Sequence, residues 1–440
     1  MQRPESELLC YSHNSYQVRN YSFVRIAQPR DSRSGILHVP PRFAVRTREP
    51  EQALAQLNSG TGLRRAEIAG AGIGGLTAAA ALAQRGWQVT VHERAPDLRT
   101  FGAGIYIWSN GLRVLKAIGA YDEATAGAHI GPLFETRDHE NRVMEEIPIN
   151  RPGSARLITI LRETLTRSLI NVCREHGVEI RTSSEVVGAT PEGELLLAGG
   201  ERRAADLVVG ADGINSAVRD SLGLLLYRKD LGYGAVRLLV DRSDTDLPAE
   251  DKDKYIEHFS GSRRILYTPA SERDLYIALC CAADDEAALR VPADRKLWRT
   301  SFPHLARLTE RFGDAGRWDA FEVVKLKSWS SGSAAVLGDG AHAMPPYLGQ
   351  GGGCALMNAL GLAVAVSEID DIPSALRAWE ARERPLTEHT QEQSERQGDM
   401  NLWPDSLRSE VLTITGQSHE LAMLRLRTAM HVPTGAAEAI

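Results

Sequence analysis

Cysteine is scarce in this chain. The five present (Cys10, Cys173, Cys280, Cys281 and Cys354) form an odd set with no C-x-x-C pair and no histidine at ligand spacing. That excludes a disulfide framework or a zinc site as the organising element, and a reducing cytoplasm is the compartment it fits. Charge of one sign is lacking too: 51 basic and 57 acidic residues are interspersed, for a formal net charge of −6. Neither nucleic acid nor an anionic membrane has an electrostatic footprint to bind. Long apolar runs are also missing. The longest, around Cys354–Val366, contains Asn358 and falls short of the ~20 residues of a membrane span, so it reads as a buried helix.

Residues 1–63 lack sustained hydrophobic periodicity, are rich in arginine and carry the breakers Pro40, Pro41 and Gly60. They are expected to form a poorly ordered extension, and an over-long gene start explains them equally well. No apolar signal core is present, and Glu5 and Glu7 count against a transit peptide.

From Arg65 the character changes. The apolar run Ala66–Ala69 leads into Gly70-Ala71-Gly72-Ile73-Gly74-Gly75, then an Ala-rich helical stretch to Gln84, Gly86, and the alternating segment Gln88–His92. This is the βαβ order of a dinucleotide cradle. Gly70 lets the chain turn, Gly72 lets backbone approach a pyrophosphate and Gly75 lets the helix lie on the sheet, with the phosphates at the helix N-terminus. Glu93 stands 23 residues after Gly70, near the offset of an acid that binds a ribose diol. Two later segments have the same flavour. Asp206–Arg219 holds an apolar strand running into Asp212-Gly213, and Ala334–Pro346 ends a buried strand in Gly338-Asp339 before the glycine-rich stretch Gly349–Gly353.

In this order and spacing the three segments resemble the flavoprotein aromatic hydroxylases that share the p-hydroxybenzoate hydroxylase fold. The resemblance implies an α/β (α+β) architecture, a Rossmann-like FAD-binding domain with an inserted mixed β-sheet substrate domain. The FAD-binding parts would be 64–135, 151–224 and 328–400, the substrate sheet 136–150 and 225–327, and 401–440 a tail without a motif, open to covering the flavin domain or making a homo-oligomer contact. It further implies that Gly70, Gly72, Gly74, Gly75, Glu93, Arg94, Arg99, Arg162, Asp212, Asp339, Gly349, Gly351 and Gly352 hold FAD. NADH or NADPH would dock transiently, since no second G-x-G-x-x-G follows a strand. A helix starting near Gly351 would aim its positive end at the reduced flavin's charge.

Phe101–Leu112 and Arg264–Pro269 look closest to the branch of that family that oxygenates hydroxypyridine carboxylates, a likeness running from about Arg64 to Pro385. It implies substrate contacts from Arg264, Tyr276, Arg237 and Tyr106, with Phe134 standing where that branch has a tyrosine. The residues themselves read as a hairpin, Arg264–Pro269 and Leu275–Cys281. Whether Arg264 and Tyr276 share a face depends on its register. Pro346 and Tyr347 are expected near the flavin's reactive edge, and His342 is a candidate proton carrier whose alternative is a structural role. Ser374–Gln397 reads as a charged helix interrupted at Pro385. The implied activity is an NAD(P)H- and O2-dependent oxygenation of a small hydroxylated aromatic or hydroxypyridine carboxylate, with a C4a-hydroperoxyflavin as oxygen donor and ring opening left open. A flavin reductase without oxygen transfer and a flavin-binding redox sensor are the alternatives.

Overall fold

The computed structural model describes residues 63–98 and 103–440. The expected extension, apart from Leu63, and Arg99 therefore lie outside the described residues. Strand β1 (Arg65–Ala69) leads into α1 (Ile73–Ala83), and the chain returns as β2 (Gln88–His92). Gly86, between them, has φ +83°, the left-handed conformation in which glycine ends a helix at no steric cost. Then come β3 (Gly104–Trp108), α2 (Ser109–Ala117), α3 (Tyr121–Thr125), the antiparallel pair β4 (Leu133–Arg137) and β5 (Val143–Pro148), β6 (Leu157–Leu161) and α4 (Arg162–Glu175). Strand β7 (Glu179–Arg181), three short strands β8–β10 (Val186–Ala189, Glu194–Leu197, Arg202–Ala204), β11 (Leu207–Gly210) and α5 (Ala217–Ser221) follow. The middle of the chain is β12 (Leu225–Asp241), β13 (Tyr255–Ser260), β14 (Arg263–Pro269), β15 (Asp274–Ala282), α6 (Arg295–Ser301), α7 (Ala306–Glu310) and β16 (Arg317–Leu326). Last are β17 (Ser330–Ser331), β18 (Ala334–Val336), α8 (Asp339–His342), α9 (Gly351–Glu368), α10 (Ile372–Asp399), α11 (Asp405–Thr415) and α12 (His419–Met430).

The first sheet has the order β17-β18-β11-β1-β2-β7, parallel from β18 to β7. Its central strands are mostly apolar on both faces, as a covered parallel sheet requires, with Glu67 of β1 paired to His92 of β2 (2.6 Å). Register decides what this sheet does: Ala69 pairs with Gly210 and Gly210 with Val336. The turns after β1, β11 and β18 thus emerge side by side at the carboxyl edge, where open α/β sheets bind ligands. The approach is too close for any residue but glycine at two points. A Cβ on Gly70 would strike the Ala211 carbonyl, and one on Gly75 the Gly70 carbonyl oxygen.

The second sheet has seven strands in the order β16-β12-β15-β14-β13-β4-β5, mixed because β4 joins β13 in parallel. One face buries Ile265, Tyr267, Ile277 and Leu279 against Trp298, Phe302 and Phe312. The other carries a second apolar layer, including Leu266, Tyr276, Ala278 and Tyr347.

The apolar run at 354–366 is core. Helix α9 is long and apolar enough to cross a membrane by composition alone, yet Gly353–Val366 is buried inside the protein. Contrary to the sequence reading, α10 is not interrupted at Pro385 but runs on to Asp399. The lost backbone hydrogen bond is outweighed by packing: Trp379, Thr387, Thr390 and Gln391 are all buried, and the Trp379 indole donates to the Asn358 carbonyl of α9 (2.9 Å). The tail, which carries no sequence motif, forms α11 and α12.

Gly75→Ala is expected to destabilise the apoprotein by about 1–3 kcal/mol, the usual cost of forcing a methyl into a filled space. Thermal unfolding checks this, and an unchanged melting temperature would mean that α1 does not depend on the close approach.

Candidate active site

The carboxyl edge of the first sheet forms a cradle from three separate turns. Glu93, just past β2, accepts from the Ala71 N–H (3.1 Å) and the Ala95 N–H (3.0 Å), which fixes its carboxylate beside the glycine turn. A Cβ on Gly72 would meet nothing within 4 Å, so the space in front of the α1 N-terminus is open to a ligand. Asp212 accepts from the Val218 N–H with Oδ2 (3.2 Å), while its buried Oδ1 has no partner among the described residues. Such an orphan acceptor is costly to bury and points to a missing donor. Asp339 is exposed at the start of α8, after Gly338 at φ +65°. Arg162, the first residue of α4, is also exposed and stands within Coulombic reach of Asp339, Arg237 and Tyr276. Arg94 is exposed beside Glu93.

Gly349, at φ +60°, presses so closely on Tyr106 that a Cβ would reach its ring. It leads to the glycine N-terminus of α9, whose first intrahelical amide to be bonded is that of Cys354, to Gln350 (2.9 Å). The amides of Gly351–Gly353 precede it, as the unpaired first turn of a helix does. A carboxylate for a diol, an open helix N-terminus for phosphate, an orphan aspartate oxygen and a second helix dipole fit the two halves of FAD.

The hairpin register settles the open question about Arg264 and Tyr276. Arg264 pairs with Cys280 and Thr268 with Tyr276, so both side chains lie on one face, with Arg237 opposite Ala278 on the same side. Sharing a face does not put them in one cavity. The cavity beneath this sheet is lined by Tyr106, Trp108, Phe134, Tyr347, Glu145 and Glu257, among others, and Pro346 also lines it, whereas Arg264, Tyr276 and Arg237 do not. Arg264 is 3% exposed; its Nη1 donates to Glu257 (3.1 Å), and its guanidinium lies 4.7 Å from the centre of the Tyr347 ring. Its charge is thus shared with Glu257, while its Nε has no partner among the described residues. Arg237 donates to Asp319 (2.7 Å) and to the Tyr276 hydroxyl (2.9 Å), forming a chain of contacts beside Arg162.

Several cavity residues carry no sequence motif. Glu257 (β13) and Glu145 (β5) project from the sheet, and Gln397, Arg425 and Leu426 come from α10 and α12. Arg425 is paired with Glu145, in part through a 3.2 Å contact, and its carbonyl accepts from Gln350 (2.9 Å). Alternation along β13 could have suggested that Glu257 faces the flavin side, but only the tertiary fold brings the tail to the cavity.

His342 lies elsewhere. It is 2% exposed, bonded to the Asn358 amide (3.0 Å) and packed at 5.4 Å against Trp329. Burial pushes its pKa down to about 4. The imidazole thus sits neutral in the helix layer and away from the cavity lining, a placement that suits the structural alternative.

Comparison with known proteins gives a consistent picture. The FAD binding domain family matches residues 65–390. A probable 2-heptyl-3-hydroxy-4(1H)-quinolone synthase of Rhodococcus erythropolis is 45% identical, covering 84% of this chain and 97% of the relative. The 2-heptyl-3-hydroxy-4(1H)-quinolone synthase of Mycobacteroides abscessus is 43% identical over 82% of this chain and 97% of that protein. Among solved structures, the tetrameric form of 2-methyl-3-hydroxypyridine-5-carboxylic acid oxygenase matches with a TM-score of 0.77 and 38% identity, covering 86% of this chain and 99% of that one.

Two outcomes are expected. Gly72→Ala should keep the apoprotein's melting temperature, because its methyl enters open space, yet weaken FAD by at least about tenfold in a fluorescence titration by blocking the phosphate's approach. His342 should impose a pH dependence on stability. A histidine whose folded pKa is depressed stabilises the fold above its unfolded pKa of 6.5, and that contribution is lost as pH falls through about 4. Wild type should therefore lose up to about 3 kcal/mol over that window that a His342→Gln variant does not. Parallel denaturant curves for the two proteins would refute this.

Proposed function

The chain belongs to the FAD binding domain family of flavoprotein monooxygenases, and from that premise we propose that it uses NAD(P)H and O2 to oxygenate a neutral N-heteroaromatic ring bearing an apolar substituent. The observation that carries the substrate class is the charge state of the cavity. Its lining is dominated by Tyr106, Trp108, Phe134, Ile147, Leu266 and Leu426, and its one cationic lining residue among those described, Arg425, is held by Glu145. A carboxylate entering here would meet Glu145 and Glu257 with no free cation to offset its desolvation, a cost of several kcal/mol. A 4(1H)-quinolone or pyridone carries no such charge, and the likeness to 2-heptyl-3-hydroxy-4(1H)-quinolone synthases supports this reading. The substrate class is accordingly shifted from the small carboxylic acid that the sequence resemblance implied.

FAD would be held by Gly70, Gly72, Gly74, Gly75, Glu93, Arg94, Arg162, Asp212, Asp339 and the turn Gly349–Gly352. When bound it supplies the redox chemistry, accepting electrons from NAD(P)H and activating O2 for transfer of one oxygen atom. The chain's own residues do the rest. The aromatic walls, Tyr106 edge-on to Tyr255 at 5.2 Å and 6.3 Å from Phe134, flank a flat ring and exclude water. The Tyr106 hydroxyl is taken up by Thr268 (2.7 Å), which fixes the ring's pose as a wall. Pro346 and Tyr347 close the cavity from the cofactor domain. In this division of labour 64–135, 151–224 and 328–400 hold the cofactor, 136–150 and 225–327 cover the substrate together with strand β4, and 401–440 supplies the far wall through α12.

The holoenzyme should oxidise NAD(P)H at least about tenfold faster with a 2-alkyl-4(1H)-quinolone than without, with product formed in step, because the cavity favours a neutral ring. Hydroxypyridine and hydroxybenzoate carboxylates should not stimulate it. Stimulation by a carboxylate and not by the quinolone would return the substrate class to aromatic acids.

A further inference from the structure

One acid in the cavity has a partner at only one of its two oxygens. Glu257 is 5% exposed and lines the cavity. Its Oε1 accepts from Arg264 Nη1 (3.1 Å), while no described residue donates to Oε2. An ionised carboxylate is acceptor-only, and Oε2 faces the cavity with its acceptor capacity unused. Thr136, Gln350, Gln397 and Arg425 also line the cavity, yet none of them donates to Oε2, Gln350 and Arg425 being bonded elsewhere, so that oxygen is open to a donor on whatever occupies the cavity. The Arg264 guanidinium lies between Glu257, the Cys280 sulfur (3.3 Å) and the Tyr347 ring, and donates nothing to Oε2.

We propose that Glu257 recognises the ring N–H of the substrate and takes up its proton during oxygen transfer. This rests on the proposed reading of a neutral N-heteroaromatic substrate, and it names the group that selects it. A 4(1H)-quinolone or pyridone is a vinylogous amide whose nucleophilic carbon, C3, is coupled to the ring nitrogen. As the C2=C3 electron pair forms the new bond from C3 to the electrophilic oxygen atom delivered by the monooxygenase cycle, the nitrogen pair forms C2=N and the N–H proton passes to Glu257 Oε2. The donor's O–O bond breaks, and its second oxygen leaves as water after gaining a proton. The proton it gains is the one lost from C3, and return of the proton from Glu257 to nitrogen restores the ring. The net change is C–H to C–OH, with no oxidant beyond O2 and NAD(P)H.

The electrostatics suit the task. Burial raises the Glu257 pKa, Arg264 opposes that shift, Glu145 adds to it and Arg425 opposes it. A carboxylate raised from its ordinary range is a better proton acceptor than an exposed one. Arg264 on β14, Glu145 on β5 and Arg425 on α12 are the charged groups named in that balance, and each of the two arginines is paired to one of the two acids.

The test uses the FAD-loaded full chain and three measurements. Equilibrium dialysis compares 2-heptyl-4(1H)-quinolone with 2-heptylchromone, in which a ring oxygen of the same shape replaces N–H. Wild type should prefer the quinolone by about 10- to 100-fold, the worth of a hydrogen bond to a charged acceptor. Glu257→Gln should lose most of that preference and oxygenate the quinolone at least about thirtyfold more slowly, with FAD affinity unchanged. Glu257→Asp should recover part of both. Equal binding of quinolone and chromone by wild type overturns the assignment without any mutation, and so does a Glu257→Gln variant that keeps both preference and rate. If neither ring binds and no quinolone stimulates NAD(P)H oxidation, the substrate reading itself falls and takes this role with it. Tight quinolone binding without discrimination removes only the role of Glu257.

Discussion

The structure depends on how closely three backbone turns approach one another at one edge of a parallel sheet. The Gly75 Cα sits against the Gly70 carbonyl and Gly70 against the Ala211 carbonyl, while the Leu337 amide donates to the Gly210 carbonyl (2.9 Å). Only residues without a Cβ permit the first two contacts. The third follows from the parallel register of β11 and β18. Residues near 70, 212 and 339 thus become a single surface with two carboxylates, an open helix N-terminus and an arginine beside it.

That surface leaves the second sheet to act as a roof, and the roof is where chemistry is selected. Its outer face is sealed by Trp298, Phe302 and Phe312, so only its inner face is available to the site. There the strand alternation projects Phe134, Thr136, Glu257, Leu266, Arg264 and Tyr276 inward together. The two acids are each matched by an arginine, from β14 and from α12. Pairing at this depth leaves a cavity that is polar in detail and neutral in sum. A flat uncharged ring is the guest such a lining accepts with least desolvation.

Much of this was legible in the sequence because the cofactor cradle is built from local signals. A glycine turn between a strand and a helix, an acid one strand later, and two strand-ending aspartates are each readable within about a dozen residues, and their order gave the family. The hairpin of β14 and β15 was legible by alternation. What was not legible is long-range. The pairing of Arg264 with Glu257 spans two strands whose register no local pattern sets, so the acid beside this arginine could not be read from the sequence. The run through Pro385 is held by packing against α9, and the wall from Arg425 and Leu426 comes from a tail with no motif. His342 was ambiguous because a histidine after a Gly-Asp turn reads alike in either role until Trp329 and Asn358 are seen around it.

Isotope incorporation tests the central claim most directly. With the holoenzyme, NAD(P)H, a 2-alkyl-4(1H)-quinolone and 18O2, the account predicts a product carrying a single labelled oxygen atom on the heteroaromatic ring. Oxidation of NAD(P)H that yields only labelled hydrogen peroxide, or a product whose added oxygen comes from water, would contradict it.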